Sequence, residues 1–391
     1  MTSVRVLLVH NYYRSELIGG EDVVFRAELD ALKEVLGDVN VHAYTKSNDH
    51  INGLTLFLNL FFSISTFYSV FTLVRSKRVN VVHVHNFFPM ISPSVFLAAK
   101  LAGAKVVMTL HNYRWWCIAG TFFENSTGIC EHCRSKIFTL RSITKRCYRG
   151  SVVQSMVASI AFALYRATRI IKLVDIFFVL TQFQQRKISD LGVPRHKIRL
   201  KPNFVEVLEA EEGVEKGQTV IYVGRLEHSK GVVKMLDAWR DSNIPFKLEI
   251  VGAGPLEDAL KARYRLTNVD FLGKKSRSET LRYIAKAKYL LQPSIWYETF
   301  GLTIIEAMAL GTPVVGFDIG TRSELVIDGY NGFLTDEAQL GSTLKDAMVR
   351  ADYETLRGNA REFSRQFRKR AIIEQQTAIY REITADVGGR P

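Results

Sequence analysis

Cysteine is scarce: the chain has four in 391 residues, all from Cys117 to Cys147. So few exclude the disulfide framework of a small secreted domain. Their spacing, C-x12-C-x2-C-x13-C, suits a structural zinc on Cys117, Cys130, Cys133 and Cys147 with His132 as a spare ligand, but a single CxxC pair also suits ordinary buried thiols. A complete dinucleotide fingerprint is lacking as well. Gly252-Ala253-Gly254 has no third glycine, which argues against a nicotinamide enzyme. The N-terminus carries no signal-peptide pattern, because residues 4–9 form a short apolar run that contains Arg5 and reads as a first strand. A cytoplasmic protein is therefore expected.

Residues 51–74 contain no charged side chain. The run is long enough for a membrane span, yet Asn52, Gly53, Asn59 and several Ser and Thr residues interrupt it, and it falls between two strands of one sheet. A span is rejected. The run is either a core helix or a helix and loop presenting aromatics to a membrane interface.

Acid is missing from one half only. Residues 1–203 hold 26 basic and 12 acidic side chains, a net of +14, whereas residues 204–391 hold 26 and 27, a net of −1. The first half is thus expected to meet something anionic, such as a lipid surface, a lipid phosphate or nucleic acid. Residues 134–149 concentrate six of these cations (Arg134, Lys136, Arg141, Lys145, Arg146, Arg149) without an acid, worth about 1 kcal/mol each beside anionic headgroups. Nucleic acid is disfavoured by the absence of a binding motif or regular aromatic interleaving.

Apolar runs at residues 4–9, 39–44, 79–84, 106–110 and 176–180 alternate with helical or loop stretches. The expected fold class is α/β, with parallel sheets wound by helices and ligands beyond the carboxyl ends of the strands. The polar residues after each strand become candidates: Gly19 and Gly20, His83 and His85, then His111. His83 and His85 face the same side of an extended segment and could pair on a metal, but no third ligand stands out. In the second half, the run 219–223 feeds the loop Gly224-Arg225-Leu226-Glu227-His228-Ser229-Lys230-Gly231. The most informative stretch is Glu298-Thr299-Phe300-Gly301-Leu302-Thr303-Ile304-Ile305-Glu306. Gly301 opens a helix whose unpaired N–H groups and positive dipole end suit a phosphate. Glu298 and Glu306 lie to either side of that seat and, as acceptors, suit sugar hydroxyls.

Glu298 and Glu306 resemble the E-x7-E signature of the family 4 glycosyltransferases. Arg225 and Lys230 resemble the family's cations on the donor diphosphate, and His111 resembles its histidine near the reacting sugar carbon. Asn112 stands where an Asp is often found. Further likenesses are Gly19-Gly20, Gly252, the segment around Gly273 and Lys274, and Gly320-Thr321-Arg322-Ser323-Glu324. The resemblance implies a GT-B architecture, two Rossmann-like doubly wound domains facing a central cleft: an acceptor domain at residues 1–203, a nucleotide-sugar domain at 204–370, and a last helix at 371–391 crossing back.

The implied reaction moves a sugar from a UDP- or GDP-sugar with retention. Glu306 would hold the ribose, Glu298 the donor sugar, and the backbone around Phe300, Gly301, Leu302 and Thr303 the sugar or phosphate. Gly224, Gly252, Gly273 and Lys274 would line the nucleotide site. No Asp-x-Asp occurs, so no catalytic cofactor is expected, only the donor itself and the structural zinc. The expected acceptor is a lipid-linked or oligosaccharide glycan in surface polysaccharide synthesis, with the protein peripheral on the inner face of the cell membrane. Epimerisation of a nucleotide sugar, or binding without catalysis, are the alternatives.

Overall fold

A computed structural model describes residues 3–13, 19–49, 53–206 and 215–385. The chain divides into two compact bodies, one of residues 1–120, 131–203 and 369–391, the other of residues 121–130 and 204–368.

The first body is built on six parallel strands. They are β1 (Val6–Tyr12), β2 (Val41–Ser47), β3 (Val81–Asn86), β4 (Lys105–Thr109), β7 (Ile176–Val179) and β8 (Ile198–Leu200), in the order β2-β1-β3-β4-β7-β8. The small hairpin of β5 (Phe123–Glu124) and β6 (Gly128–Ile129) falls in the other body. Val6 to Val9, Val81, Val82, Val84, Val106 and Val107 are inaccessible to solvent, which is why these runs are β-branched and apolar on both faces, as parallel strands covered by helices must be. The five strands expected here all form, each within a few residues of its expected bounds. β8, at the sheet edge, is too short to have left a pattern.

The charge-free run 51–74 is not one helix. Gly53–Phe61 and Ile64–Ser76 are separated at Ser63, whose hydroxyl accepts the Thr66 N–H at 3.3 Å. Leu60, Val70 and Val74 are buried while Phe57, Phe62, Ile64 and Tyr68 stay exposed. One face thus belongs to the core, and the other leaves aromatic side chains exposed. Among the described residues no helix is long and apolar enough to cross a membrane.

The second body has six parallel strands, β9 (Thr219–Val223), β10 (Lys247–Val251), β11 (Val269–Gly273), β12 (Tyr289–Gln292), β13 (Val314–Phe317) and β14 (Gly332–Thr335), ordered β11-β10-β9-β12-β13-β14. Its core gathers Tyr222, Met235, Trp239, Leu248, Tyr289 and Leu344 around the sheet. In this body the strand order reverses between β9 and β12, and in the first body between β1 and β3. Loops leaving the strands at such a reversal diverge and leave a crevice, the usual ligand position in doubly wound sheets.

Candidate functional site

In the second body the two loops at the reversal carry the expected residues. The loop after β9 ends in a 3-10 turn, His228–Lys230, and Gly231 at φ 70° starts the helix Val232–Asp241. A Cβ at Gly231 would lie 1.9 Å from the Pro293 carbonyl oxygen. Only glycine lets this loop press against the one leaving β12. Ile295 N–H donates to the Ser229 carbonyl at 3.0 Å, tying the loops again.

This close approach brings Lys230 to Glu298. Nζ meets Oε1 at 2.8 Å and also lies 5.1 Å from the Trp296 ring centre. The Ser294 hydroxyl donates to the same carboxylate oxygen at 2.7 Å. Burial works against ionisation of Glu298, but Lys230 and then Arg322 outweigh it and hold the carboxyl down at about 2. Glu298 is a fixed anion at neutral pH. It can accept hydrogen bonds and cannot serve as a general acid.

Gly301 (φ 104°) begins the helix Leu302–Ala309 as expected, with Leu302 and Thr303 in its first turn. Ser294 Oγ also lies 3.0 Å from Gln292 Oε1, where its one hydrogen can turn in place of Glu298, and Gln292 Nε2 donates to Thr303 Oγ1 at 3.2 Å. A string of polar contacts therefore joins Glu298 to the start of the helix. Phe300 is buried, its ring edge-on to Phe367 at 5.6 Å, so its side chain belongs to the core and only its backbone borders the turn. Glu306, just over one turn along, pairs with Arg277 at 2.7 Å. Burial raises its carboxyl above the usual range, with Arg277 opposing.

Arg225 is not beside Lys230's partner. It pairs with Glu227 at 3.3 Å, and its side chain is 63% exposed. Gly224, Gly252 and Gly273 stack at the strand ends, where Gly252 N–H donates to the Gly273 carbonyl at 2.9 Å. A Cβ on Gly252 would lie 1.9 Å from the Gly224 carbonyl oxygen. Packing of backbone on backbone already requires that glycine. Lys274, next in line, is exposed.

Arg322 was not foreseen as a site residue. It is fully buried, its Nε donating to the Phe317 carbonyl at 2.6 Å and its Nη2 to the Ser294 carbonyl. Burial lowers its pKa to about 10. It braces the β12 loop from the turn after β13. The sequence placed it in that turn but gave no sign that it points inward.

In the first body Gly19 precedes the helix Gly20–Leu36, and a Cβ on it would meet the Tyr13 ring at 3.3 Å. Glu21 accepts from Tyr13 OH at 3.1 Å and from Asn112 Nδ2 at 2.8 Å. Asn112 therefore has a structural partner of its own. His111 ends the run after β4 and borders a pocket with His85, Asn86, Phe88, Asn112 and Arg114. His85 Nδ1 lies 3.0 Å from His111 Nε2.

The two metal expectations fall on different segments. Among the described residues, the one group of three or more His, Cys, Asp or Glu with clustered ligand atoms is Glu28, His83 and His85, all buried. Cys117, Cys133 and Cys147 of the first body form no such group. The Cys117 N–H closes a turn on Tyr113 and the Cys130 N–H closes the β5-β6 hairpin on Phe122. His83 and His85 do acquire a third neighbour, Glu28, 57 residues upstream of His85. Yet Lys201 Nζ sits on Glu28 Oε2, and Tyr380 OH is 2.7 Å from His83 Nδ1. A buried ammonium on the only carboxylate opposes a cation, and the group reads as a proton-bonded polar core.

Comparison with known proteins agrees with this geometry. Residues 205–355 match the family described as glycosyl transferases group 1, and residues 55–203 match the glycosyl transferase 4-like domain. An uncharacterized glycosyltransferase of Methanocaldococcus jannaschii is 30% identical over 171 residues, 42% of this chain and 48% of that protein. The aligned part thus spans about half of that relative. An uncharacterized protein of the cps region of Klebsiella pneumoniae is 22% identical over 347 residues, 84% of this chain and 87% of its own. Among solved structures, sucrose-phosphate synthase from Thermosynechococcus elongatus superposes with a TM-score of 0.69 at 19% identity, covering 98% of this chain and 100% of that one. HepE of Anabaena, solved in complex with UDP, gives 0.63 at 18% identity, covering 96% and 99%. With both halves matched to their domain families and the fold shared end to end, the chain belongs to the family 4 glycosyltransferases and has the GT-B fold.

Proposed function

We propose that the protein transfers a sugar, with retention, from a UDP- or GDP-sugar to a lipid-linked glycan during surface polysaccharide assembly. The observation that carries this reading is the Lys230–Glu298 pair beside the N-terminus of Leu302–Ala309, at the strand-order reversal. A cation, a helix dipole and an ionised sugar-hydroxyl acceptor converge there. UDP in the HepE complex supports a nucleotide donor, and the cps location of the Klebsiella relative supports a polysaccharide product.

In the reaction, the bond from the anomeric carbon to the diphosphate oxygen breaks as the acceptor oxygen bonds to that carbon. Negative charge grows on the leaving phosphate, and Lys230, Arg225 and the helix N–H groups stabilise it more than they stabilise the bound donor. Glu298, held by Lys230 and Ser294, accepts donor sugar hydroxyls, and Glu306 accepts those of the ribose. The departing phosphate takes the acceptor proton. Glu298 is committed to its ion pair and is no nucleophile in this scheme. Calorimetry against a panel of UDP- and GDP-sugars, with slow hydrolysis as the second readout, tests the reading. Absence of binding to every member sinks it.

The first body supplies a surface for the acceptor's membrane. On the helix Val152–Ala167, exposed Val152, Met156, Ile160 and Leu164 recur every fourth residue and so form one stripe. Ile137, Phe138 and Leu140 are also exposed, inside the basic segment 134–149. An apolar stripe with cations near it suits the interface of an anionic bilayer. Replacing Met156 and Ile160 together by Asp should reduce sedimentation with vesicles of mixed phosphatidylcholine and phosphatidylglycerol by roughly tenfold or more, from lost apolar burial and added negative charge. Donor hydrolysis should be unchanged. Equal sedimentation of variant and parent at low salt removes the membrane from the proposal.

A further inference from the structure

We propose that Glu28 and His85 are positioning residues for His111, fixing its tautomer through a buried carboxylate–imidazole–imidazole relay. The inference rests on the reading of His111 as a residue of the transfer site. It also accounts for Asn112: with no carboxylate next to His111 in sequence, Glu28 supplies one from the helix Gly20–Leu36, one imidazole away.

The geometry leaves little choice of proton positions. Glu28, His83 and His85 are fully or almost fully buried. Glu28 is kept ionised because Lys201 outweighs the effect of burial on its carboxyl, and Gln376 Nε2 donates to its Oε1 at 2.5 Å. His85 Nε2 is buried, makes no hydrogen bond of regular geometry, and lies 3.3 Å from the charged Glu28 Oε1. A lone pair on that nitrogen would confront a carboxylate, so Nε2 carries the hydrogen. His85 Nδ1 is then the acceptor. At 3.0 Å from it, His111 Nε2 must be the donor. His111 is thereby set as the Nε2–H tautomer with Nδ1 as its acceptor nitrogen. The rings stack with centres 5.1 Å apart, and Phe25 packs edge-on to His85 at 5.3 Å, so neither ring can turn without disturbing the core.

Other neighbours reinforce the arrangement. His10, on β1, lies edge-on to His85 with ring centres 6.4 Å apart and is itself paired with Asp22 at 2.7 Å. His83 bonds Thr109 Oγ1 at 2.7 Å through Nε2 and meets Tyr380 OH through Nδ1. Burial depresses the pKa values of His85 and His111, so both imidazoles stay neutral at physiological pH. The relay therefore orients a neutral hydrogen-bonding group; it does not deliver a proton.

Imidazole nitrogen–proton correlation spectra of the full chain, with donor turnover measured in parallel, test this. The parent should show His111 as a single Nε2–H tautomer. In His85→Phe, which keeps the Glu28–Lys201 pair, His111 should become a mixture of tautomers. Its kcat should fall about tenfold or more, the usual cost of losing an orienting partner, with donor KM little changed. His85→Asn, whose carbonyl oxygen can replace Nδ1 as acceptor, should recover both. Should His85→Phe fold poorly, Glu28→Gln with Lys201→Met removes the carboxylate and its counter-charge together and should shift the same resonances. An unchanged single tautomer in the folded variants overturns the relay. A redistributed tautomer with unchanged kcat overturns the positioning role. The spectra decide the relay even if no sugar donor is turned over by the parent, an outcome that would count against glycosyl transfer alone.

Discussion

Lys230→Ala is expected to lower kcat/KM for sugar transfer by about 10²–10³, the cost of removing one preorganised donor from a site of developing charge. Two losses combine. The cation aimed at the diphosphate is gone, and Glu298 loses the partner that most opposes the effect of burial on its carboxyl. Its pKa should climb from about 2, with Arg322 and Ser294 remaining to limit the rise. Because Lys230 acts most strongly on charge that grows during bond cleavage, the larger share of the loss should fall on kcat. Lys230→Arg keeps the charge but not the compact ammonium that fits between Glu298 and Trp296, and should recover only part of the activity. Steady-state rates with the best donor from the nucleotide-sugar panel decide the matter. Turnover within threefold of the parent would show the pair to be a structural ion pair, worth little to catalysis.

That pair was legible in the sequence because its determinants are local. Glycine and proline punctuate both loops, β-branched runs mark β9 and β12, and the helix after Gly301 announces itself through good helix formers. Reading the ligand position from strand ends required only a parallel sheet, and the reversal between β9 and β12 agrees with it. What the sequence hid has a different physical origin. Glu28, His85, His111, Lys201 and Gln376 come from five segments, and no spacing rule links them. His85 and His111 stood out at strand ends, whereas Glu28, Lys201 and Gln376 read as surface until the fold buries them. The same holds for Arg322, which looks solvated in a polar turn yet hydrogen-bonds two carbonyls from inside.

Acidification should loosen the first body well before its carboxylates titrate. Burial lowers the pKa values of His83, His85 and His111, that of His85 to about 3. The unfolded chain takes up a proton on each near pH 6.5, whereas the folded body does not, so the unfolded state binds more protons below that pH. Stability therefore falls as pH falls. For His85 the window runs from about 6.5 to about 3. Each such histidine contributes about 1.4 kcal/mol per pH unit within its window. His85 alone gives about 2 kcal/mol between pH 6.5 and 5, a sizeable part of the 5–15 kcal/mol typical of a domain, and the lowered His83 and His111 act in the same direction. Glu28 acts in a separate, lower window. Its depressed carboxyl contributes stability that is present above about pH 4.3 and is lost only below it. Hydrogen exchange of β3 and β4 amides at pH 6.5 and 5, corrected for the intrinsic rate, isolates the first body from the second. Protection should drop by at least about tenfold in the parent and by visibly less in His85→Phe, which cannot take up the proton. Equal protection at the two pH values would mean that the imidazoles are protonated in the folded state with Glu28 as counter-charge, and that burial does not keep them neutral.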